Sequence, residues 1–380
     1  MTFGMKCPKC GLMQLPGPSC KSCGAPLGGP APRPTSTARA PVASPSPPPR
    51  SSAQPRAETK RAQVEGEAAQ GHRLSFHGAG GSLLGIHIVN MFLTVITLGI
   101  YYFWGKVRVR NYLLSQIEFE GDRFAYHGTG KELLIGFLKA MLVFGVPLIL
   151  LGIMQELLRE PAIKLLAGLL TYAIVMVLIP FAMVGARRYR LSRSSWREIR
   201  FSFRGRMLDF IKLFVVGSLL TGITLGLYYP LFETRRYGFL VSHSYFGNEK
   251  FHFDGNGRDI FGSFLLAIVL FFPTLGLYWF WFVARKQRYF WAHTAFGRSR
   301  FRSTVTGGRL LLLTLGNLLL LVVTFGLGWP WVMIRNVRFA FKYLTLEGPL
   351  DLSGIQQEAQ APTATGDALA GFMEIGLDLG

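Results

Sequence analysis

The sequence predicts an all-α polytopic membrane protein built from about five internal repeats, each roughly 50 residues long. Each repeat reads as an apolar helix, a Thr-Leu-Gly break, an aromatic and basic helix, and a short strand and turn. Three observations lead there. First, Thr97-Leu98-Gly99 returns as Thr224-Leu225-Gly226, Thr274-Leu275-Gly276 and Thr324-Phe325-Gly326, and the last three glycines are 50 residues apart. A fixed internal period is read before any local feature because it sets the architecture. Second, half the chain is hydrophobic and only 16% is charged, against about 25% in soluble domains. The apolar residues collect in runs of about 20, the length a helix needs to cross a ~30 Å hydrocarbon core. Third, 41 Lys and Arg outnumber 21 Asp and Glu, and the basic residues flank those runs. So placed, they read as charges held at a cytoplasmic membrane face, which makes lipid the partner and argues against nucleic acid.

The chain opens with Cys7-Pro8-Lys9-Cys10 and Cys20-Lys21-Ser22-Cys23, each pair followed by a glycine, Gly11 and Gly24. Two such knuckles offer four thiolates to one tetrahedral zinc. With all four positions filled by cysteine, no place is left for a reactive water, so the zinc is structural. Residues 1–24 therefore read as a zinc ribbon. No apolar signal segment precedes it, so the amino terminus is expected in the cytoplasm, where thiols stay reduced. Residues 25–71 are rich in Pro, Ala and Ser and read as a disordered tether.

A membrane domain is expected over 72–348. Its short strands announce themselves by period-2 alternation ending in glycine. Examples are Leu74-Ser75-Phe76-His77-Gly78, Phe124-Ala125-Tyr126-His127-Gly128, Phe201-Ser202-Phe203-Arg204-Gly205 and Phe251-His252-Phe253-Asp254-Gly255, with a degraded copy from Phe301 to Gly307. The apolar segments fall at about 83–104, 133–154, 164–185, 208–231, 259–283 and 310–334. The second unit holds two of them, because it carries an insertion around Gln155 to Pro161. Residues 349–380 read as a loose tail.

Basic loops follow five of these six segments, and the 186–206 loop alone holds eight arginines and one glutamate. Six alternating spans would export some of those loops against the positive-inside rule. Units that turn back at Thr-Leu-Gly would keep them all in the cytoplasm, with only the second unit crossing fully. A glycine inside a helix is disfavoured by ~1 kcal/mol, so Gly99, Gly226, Gly276 and Gly326 are fit places for a break. In that arrangement Lys106 and Arg108 would stand close to the break, and a charge at membrane depth costs on the order of 2.5–3.5 kcal/mol. Sequence alone leaves both topologies open.

Taken together, Phe76-His77-Gly78-Ala79-Gly80, Thr97 through Arg108, Gly121-Asp122-Arg123-Phe124 and Tyr126-His127-Gly128-Thr129-Gly130 resemble the YjgN family of bacterial inner-membrane proteins. The resemblance covers about 73–348 and leaves the zinc ribbon and tether outside as an added module. It implies a multi-pass inner-membrane protein. It implies no established activity, so no catalytic residue carries over.

Motifs for catalysis fail on their own residues. Gly128-Thr129-Gly130-Lys131 lacks the earlier glycine and the following Ser or Thr of a phosphate loop, and Gly255-Asn256-Gly257 lacks the third glycine of a dinucleotide fingerprint. His77, His127 and His252 do not keep one register, which argues against a shared metal. The protein reads as one that is not an enzyme. The positions of interest are Arg108, Arg235, Arg285 and Arg335, each nine residues after its break glycine. They suit headgroup anchors. Gathered together they would suit a pathway or binding site for an anionic or amphipathic solute, since transporters often place sites at broken helices in repeats. The expectation is a transport or channel-like role, with a membrane-anchored scaffold or sensor, whose zinc ribbon binds a cytoplasmic protein, as the rival.

Overall fold

The computed structural model describes residues 71–158 and 160–357, together with the backbone of a short strand pair, β1 (Met5–Lys6) and β2 (Met13–Gln14). After β3 (Gly71–Arg73) and β4 (Ser75–Phe76), the chain passes five times through a helical hairpin and then returns to a sheet. The hairpins are α1 (Gly80–Ile96) with α2 (Tyr102–Ser115), α3 (Gly130–Leu157) with α4 (Pro161–Arg193), α5 (Met207–Ile223) with α6 (Tyr229–Ser242), α7 (Gly257–Phe271) with α8 (Trp279–Ala292), and α9 (Gly307–Val323) with α10 (Trp329–Lys342).

Four of the six apolar segments are therefore not single spans. Each bends at its Thr-Leu-Gly, or Thr-Phe-Gly, and comes back. The threonine explains why the bend is the same each time. Thr97 Oγ1 donates to Leu93 O at 2.7 Å and accepts from Tyr101 N at 2.9 Å, bridging the last turn of α1 and the first of α2. Thr224, Thr274 and Thr324 make the same two bonds. Helix ends leave backbone groups without partners, and this hydroxyl supplies one to each side. The glycine then takes a left-handed backbone, with φ of 93° at Gly99 and 92° at Gly226, where a side chain is disfavoured.

Unit two differs. Helices α3 and α4 have 28 and 33 residues and are long and apolar enough to cross a membrane. Pro180 inside α4 matches Pro230 and Pro330 at the starts of α6 and α10. The insertion has thus lengthened both arms and carried the bend outward.

The all-α class needs one correction. The strands between hairpins join into one 11-stranded antiparallel sheet, nearly closed, which joins β4 to β5 (Ile117–Phe119), β6 (Asp122–Tyr126), β7 (Ser194–Trp196), β8 (Ile199–Phe203), β9 (Ser244–Phe246), β10 (Glu249–Phe253), β11 (Thr294–Phe296), β12 (Ser299–Ser303) and β13 (Leu344–Glu347), and finally β3. Only Leu74 separates β3 from β4, so the two ends of the sheet meet in one stretch of chain. The first strand of each pair is three residues long, too short for alternation to show. Two connecting turns, Glu120-Gly121 and Arg197-Glu198, have positive φ at both residues, the geometry that suits a two-residue hairpin.

Cross-strand pairs set the sheet's interior. Phe124 faces Trp196, Phe201 faces Phe246, Phe251 faces Phe296 and Phe301 faces Leu346. With Phe119 and Ile199 the aromatic members of these pairs form one apolar core. Residues 349–357 do not behave as a loose tail: Leu350, Leu352 and Ile355 pack onto this core. Residues 358–380 lie outside the described residues.

Glycines let the hairpins pack side by side. A Cβ at Gly80 would stand 2.3 Å from Trp331, at Gly130 2.5 Å from Trp104, at Gly257 2.6 Å from Leu231 and at Gly307 2.6 Å from Trp281. In each case the first helix of one hairpin begins against the second helix of the preceding one, and Trp331 on Gly80 joins the last hairpin to the first.

Candidate membrane and phospholipid interface

Every hairpin leaves the sheet and returns to it, so its bend is the point farthest along the chain from the sheet. The bends are apolar and bare. Leu98, Leu225, Leu275 and Phe325 are 94%, 94%, 91% and 96% exposed. All four hold a left-handed backbone with φ near 50°, a conformation that costs an L-residue roughly 1–2 kcal/mol. Asn or Gly would fit there at less cost and would be wetter, so large apolar side chains here point to an apolar surrounding. The exposure continues down the adjoining helices through Ile88, Phe92 and Val95, through Val216 and Ile223, and through Leu318, Leu319 and Val322. Helix α1 contains no Asp, Glu, Lys or Arg. Contiguous exposed apolar surface on this scale marks a membrane or partner surface.

The four arginines singled out by the repeat all lie in the second helices and are all exposed. Arg108 lies over the Tyr101 ring at 5.9 Å and Arg235 over the Tyr228 ring at 5.8 Å. Arg235 Nη1 also donates to Tyr228 Oη at 2.6 Å. Arg335 Nη1 donates to Gly316 O at 3.3 Å. These three spend their interactions inside their own hairpins. Arg108 is six residues into α2, about 9 Å of helix rise from the bend, and tilt only shortens that depth. A bilayer leaflet is about 15 Å of hydrocarbon, half of ~30 Å. The arginine level is thus within one leaflet of the bend. Unit two supplies an independent ruler: α3 exceeds α1 by 11 residues and α4 exceeds α2 by 19, about 17 and 28 Å of extra rise.

Sequence reasoning passed over a second set of arginines. Arg188 Nη2 donates to Gly205 O at 2.9 Å, Arg288 Nη1 to Val305 O at 3.3 Å and Arg338 Nη2 to Gly78 O at 3.0 Å. Each reaches from a second helix to the carbonyl where the next hairpin departs from the sheet. Arg288 and Arg338 stand 12 residues after Gly276 and Gly326, and that offset was the available signal.

Several acidic and histidine residues of the strand motifs are paired locally. His77 pairs with Glu118 at 3.1 Å, His72 with Glu120 at 2.7 Å, and Asp122 with Arg197. His127 Nε2 lies 2.7 Å from Ser195 Oγ. Burial, then the charges of Arg200 and Arg193, push the His127 pKa below its ordinary value. Glu132 accepts from Tyr189 Oη at 2.9 Å and from Arg193 Nη2 at 2.7 Å, tying α3 to α4 where they meet the sheet. Among the described residues no group of three His, Cys, Asp or Glu could hold a metal ion. Cys7, Cys10, Cys20 and Cys23 lie outside the described residues, although β1 and β2 pair antiparallel on either side of Cys7 and Cys10.

The comparisons with known proteins agree with the membrane character. The chain is 32% identical over 136 residues to the Inner membrane protein YjgN of Salmonella typhimurium strain LT2, covering 36% of this chain and 32% of that protein. It is 34% identical over 139 residues to the Inner membrane protein YjgN of Escherichia coli K12, covering 37% and 33%. The aligned part thus spans about a third of these curated relatives' length. No solved structure matches the chain. Their names support an inner-membrane location here and bear out the resemblance to YjgN. A family model described as "Bacterial protein of unknown function (DUF898)" matches residues 71–279 and 274–372, and the chain accordingly belongs to the DUF898 family.

Proposed function

We propose that this protein is a membrane-anchored scaffold. Five repeats form a ring of hairpins; four dip into the cytoplasmic leaflet of the inner membrane and unit two crosses it. Arg108, Arg235, Arg285 and Arg335 bind anionic phospholipid headgroups. The single observation that carries the reading is the fixed pairing of a bare apolar bend with an exposed arginine within a leaflet's depth of it. A tyrosine and an arginine at that level form an interfacial anchor, and each basic residue near an anionic surface contributes about 1 kcal/mol. At that depth the arginines avoid the cost of a charge in mid-bilayer.

The transport reading needs the four arginines gathered about a path, whereas the interactions of Arg108, Arg235 and Arg335 within their own hairpins favour anchoring. The amino-terminal module completes the scaffold: Cys7, Cys10, Cys20 and Cys23 bind one structural zinc, and the ribbon, on its tether, engages a cytoplasmic protein.

The test is reconstitution into vesicles of phosphatidylethanolamine with and without 30% phosphatidylglycerol. Native protein is expected to enrich anionic lipid in its annulus, and the Ala variant at all four arginines is expected to lose that enrichment while still inserting. Equal enrichment in both proteins would sink the reading. Solute flux that vanishes in the variant would restore the transport hypothesis.

A further inference from the structure

The second helices carry a charged stripe on the face turned away from the exposed arginines. Counted from the break glycine, positions seven, ten, eleven and fourteen share one face of a helix, and position nine lies on the opposite face. That stripe holds Glu233, Arg236 and Tyr237 in α6, and Lys286 and Phe290 in α8. In α4 it holds Arg187, which stands seven residues after Pro180 as Tyr237 stands seven after Pro230. Arg235 and Arg285, at position nine, are exposed, so the stripe faces into the ring.

Contacts between units agree with that placement. Lys286 Nζ, from α8, lies 3.5 Å from Glu233 Oε1 of α6 and donates to Tyr229 Oη at 3.4 Å. The rings of Tyr237 and Phe290 stack at 4.5 Å, and Lys286 Nζ lies 5.9 Å from the same Phe290 ring. Arg187 Nη2, from α4, donates to Ser244 Oγ at 3.3 Å and stands close enough to Tyr237 to act on it electrostatically. Arg187, Tyr237, Phe290, Lys286 and Glu233 thus form one continuous lining. Ser244 opens β9, whose Phe246 belongs to the aromatic core, so the lining ends where the core begins.

The charges on this lining do not balance. Glu233 is the one carboxylate on the five second helices. It already lies 2.6 Å from Arg236 Nη2 as well as facing Lys286. The Glu233 and Lys286 side chains are only 12% and 17% exposed. Arg187 has no carboxylate partner: among the described residues its one hydrogen bond goes to the Ser244 hydroxyl, and its Nε is buried without a partner. Three cations therefore face one carboxylate. Held away from water, such an excess is costly unless an anion joins it. Guanidinium forks and an ammonium reaching in from three helices suit the several oxygens of a phosphoryl group.

We propose that the inner stripe of α4, α6 and α8 binds one phosphoryl group, held by Arg187, Arg236 and Lys286, with Glu233 positioning the last two. The site uses none of the four exposed arginines, so it stands apart from the headgroup reading.

The experiment uses the full chain in a neutral, phosphate-free detergent. Short-chain phosphatidic acid and inorganic phosphate are the probes, read by native mass spectrometry and thermal unfolding. Native protein is expected to retain one phosphoryl ligand per chain and to unfold at a higher temperature when it is bound. Lys286→Gln and Arg187→Gln are each expected to weaken binding at least about tenfold, whereas Arg258→Gln, an exposed charge on α7, is expected to leave it unchanged. Glu233→Gln removes the opposing charge and keeps all three cations. It is expected to tighten binding several-fold, which the loss of a purely structural ion pair would not do. Protection by phosphatidic acid alone assigns the phosphoryl group to a lipid; protection by inorganic phosphate as well assigns it to a soluble anion. Native protein that binds neither probe saturably would overturn the proposal. So would binding that Lys286→Gln and Arg187→Gln both leave intact, or binding that vanishes when Arg108, Arg235, Arg285 and Arg335 are replaced instead. Where Lys286→Gln and Arg187→Gln fail to fold, Glu233→Gln decides: tighter binding supports the site, and unchanged or weaker binding overturns it.

Discussion

Arg338 Nη2 donates to Gly78 O at 3.0 Å, joining residues 260 positions apart. This bond and the packing of Trp331 on Gly80 fasten the last hairpin to the first. The sheet is nearly closed, so little edge is left to fray, and an unpaired strand edge is a liability to a sheet. Arg338→Ala is expected to destabilise the folded ring by about 1.5–3 kcal/mol, the range for hydrogen bonds to charged groups. Thermal unfolding in a fixed detergent checks this, with Arg338→Lys recovering part of the loss. Gly80→Val, which drives a side chain into Trp331, is expected to cost more than Arg338→Ala.

The bend makes two opposed predictions. Thr224→Val removes the hydroxyl that bridges α5 and α6 and is expected to cost about 1–2 kcal/mol in detergent. Leu225→Gly relieves a left-handed leucine and is expected to gain up to about 1 kcal/mol there, while weakening retention of the hairpin in liposomes. Tryptophan fluorescence quenching by brominated lipid, with Leu225→Trp as the depth reporter, distinguishes the two effects. A reporter quenched as strongly from the far leaflet as from the near one would refute single-leaflet insertion.

Topology follows from the lengths of α3 and α4. In a chain whose four cysteines are replaced by serine, Glu156→Cys is expected to react with an impermeant maleimide from the periplasmic side. Glu198→Cys and Asn248→Cys, both at exposed hairpin turns of the sheet, are expected to react only after the membrane is opened. Reaction of Glu198→Cys in intact cells would restore alternating spans.

Acid should weaken the junction between units one and two. Burial, Arg200 and Arg193 hold the His127 pKa below the unfolded value of about 6.5. Neutral His127 is therefore favoured in the fold, its contribution is complete above pH 6.5, and it is lost as pH falls through the folded pKa. Stability measured from pH 8 to pH 5 is expected to fall less steeply in His127→Gln than in the native chain. Parallel curves would exclude His127 as a contributor.

The proposed zinc ribbon has a direct readout. Native mass spectrometry of the full chain is expected to show one zinc per chain, lost in Cys10→Ser and Cys23→Ser, with no change in the helical signal of the membrane domain. Zinc retained in both variants would remove the ribbon from the scaffold reading.

Much of the molecule is legible in one dimension because it depends on local chemistry. The bends could be placed from Thr-Leu-Gly, since the threonine bonds only four residues to either side. The apolar runs could be placed from composition, and the exposed arginines from their nine-residue offset. The paired strands were only half legible. Phe201-Ser202-Phe203 alternates visibly, whereas Ser244-Tyr245-Phe246 is too short to alternate, and only its turn pair Gly247-Asn248, with φ of 58° at the glycine, carries a hairpin signal.

What the sequence determined by itself is therefore the unit: helix, bend, helix, strand, and which of its faces are apolar. Tertiary structure decided what the units do to one another. It showed that four apolar segments fold back, that their strands join into one nearly closed sheet around an aromatic core, and that the arginines at the nine-residue offset stay exposed while a second set clasps the ring. It also brought Ile355 into that core. These outcomes rest on contacts between residues about 50 to 260 positions apart, such as Ser299 with Pro349 and Gly78 with Arg338. No local periodicity encodes such contacts, because their stability comes from burying faces that meet only when the ring closes.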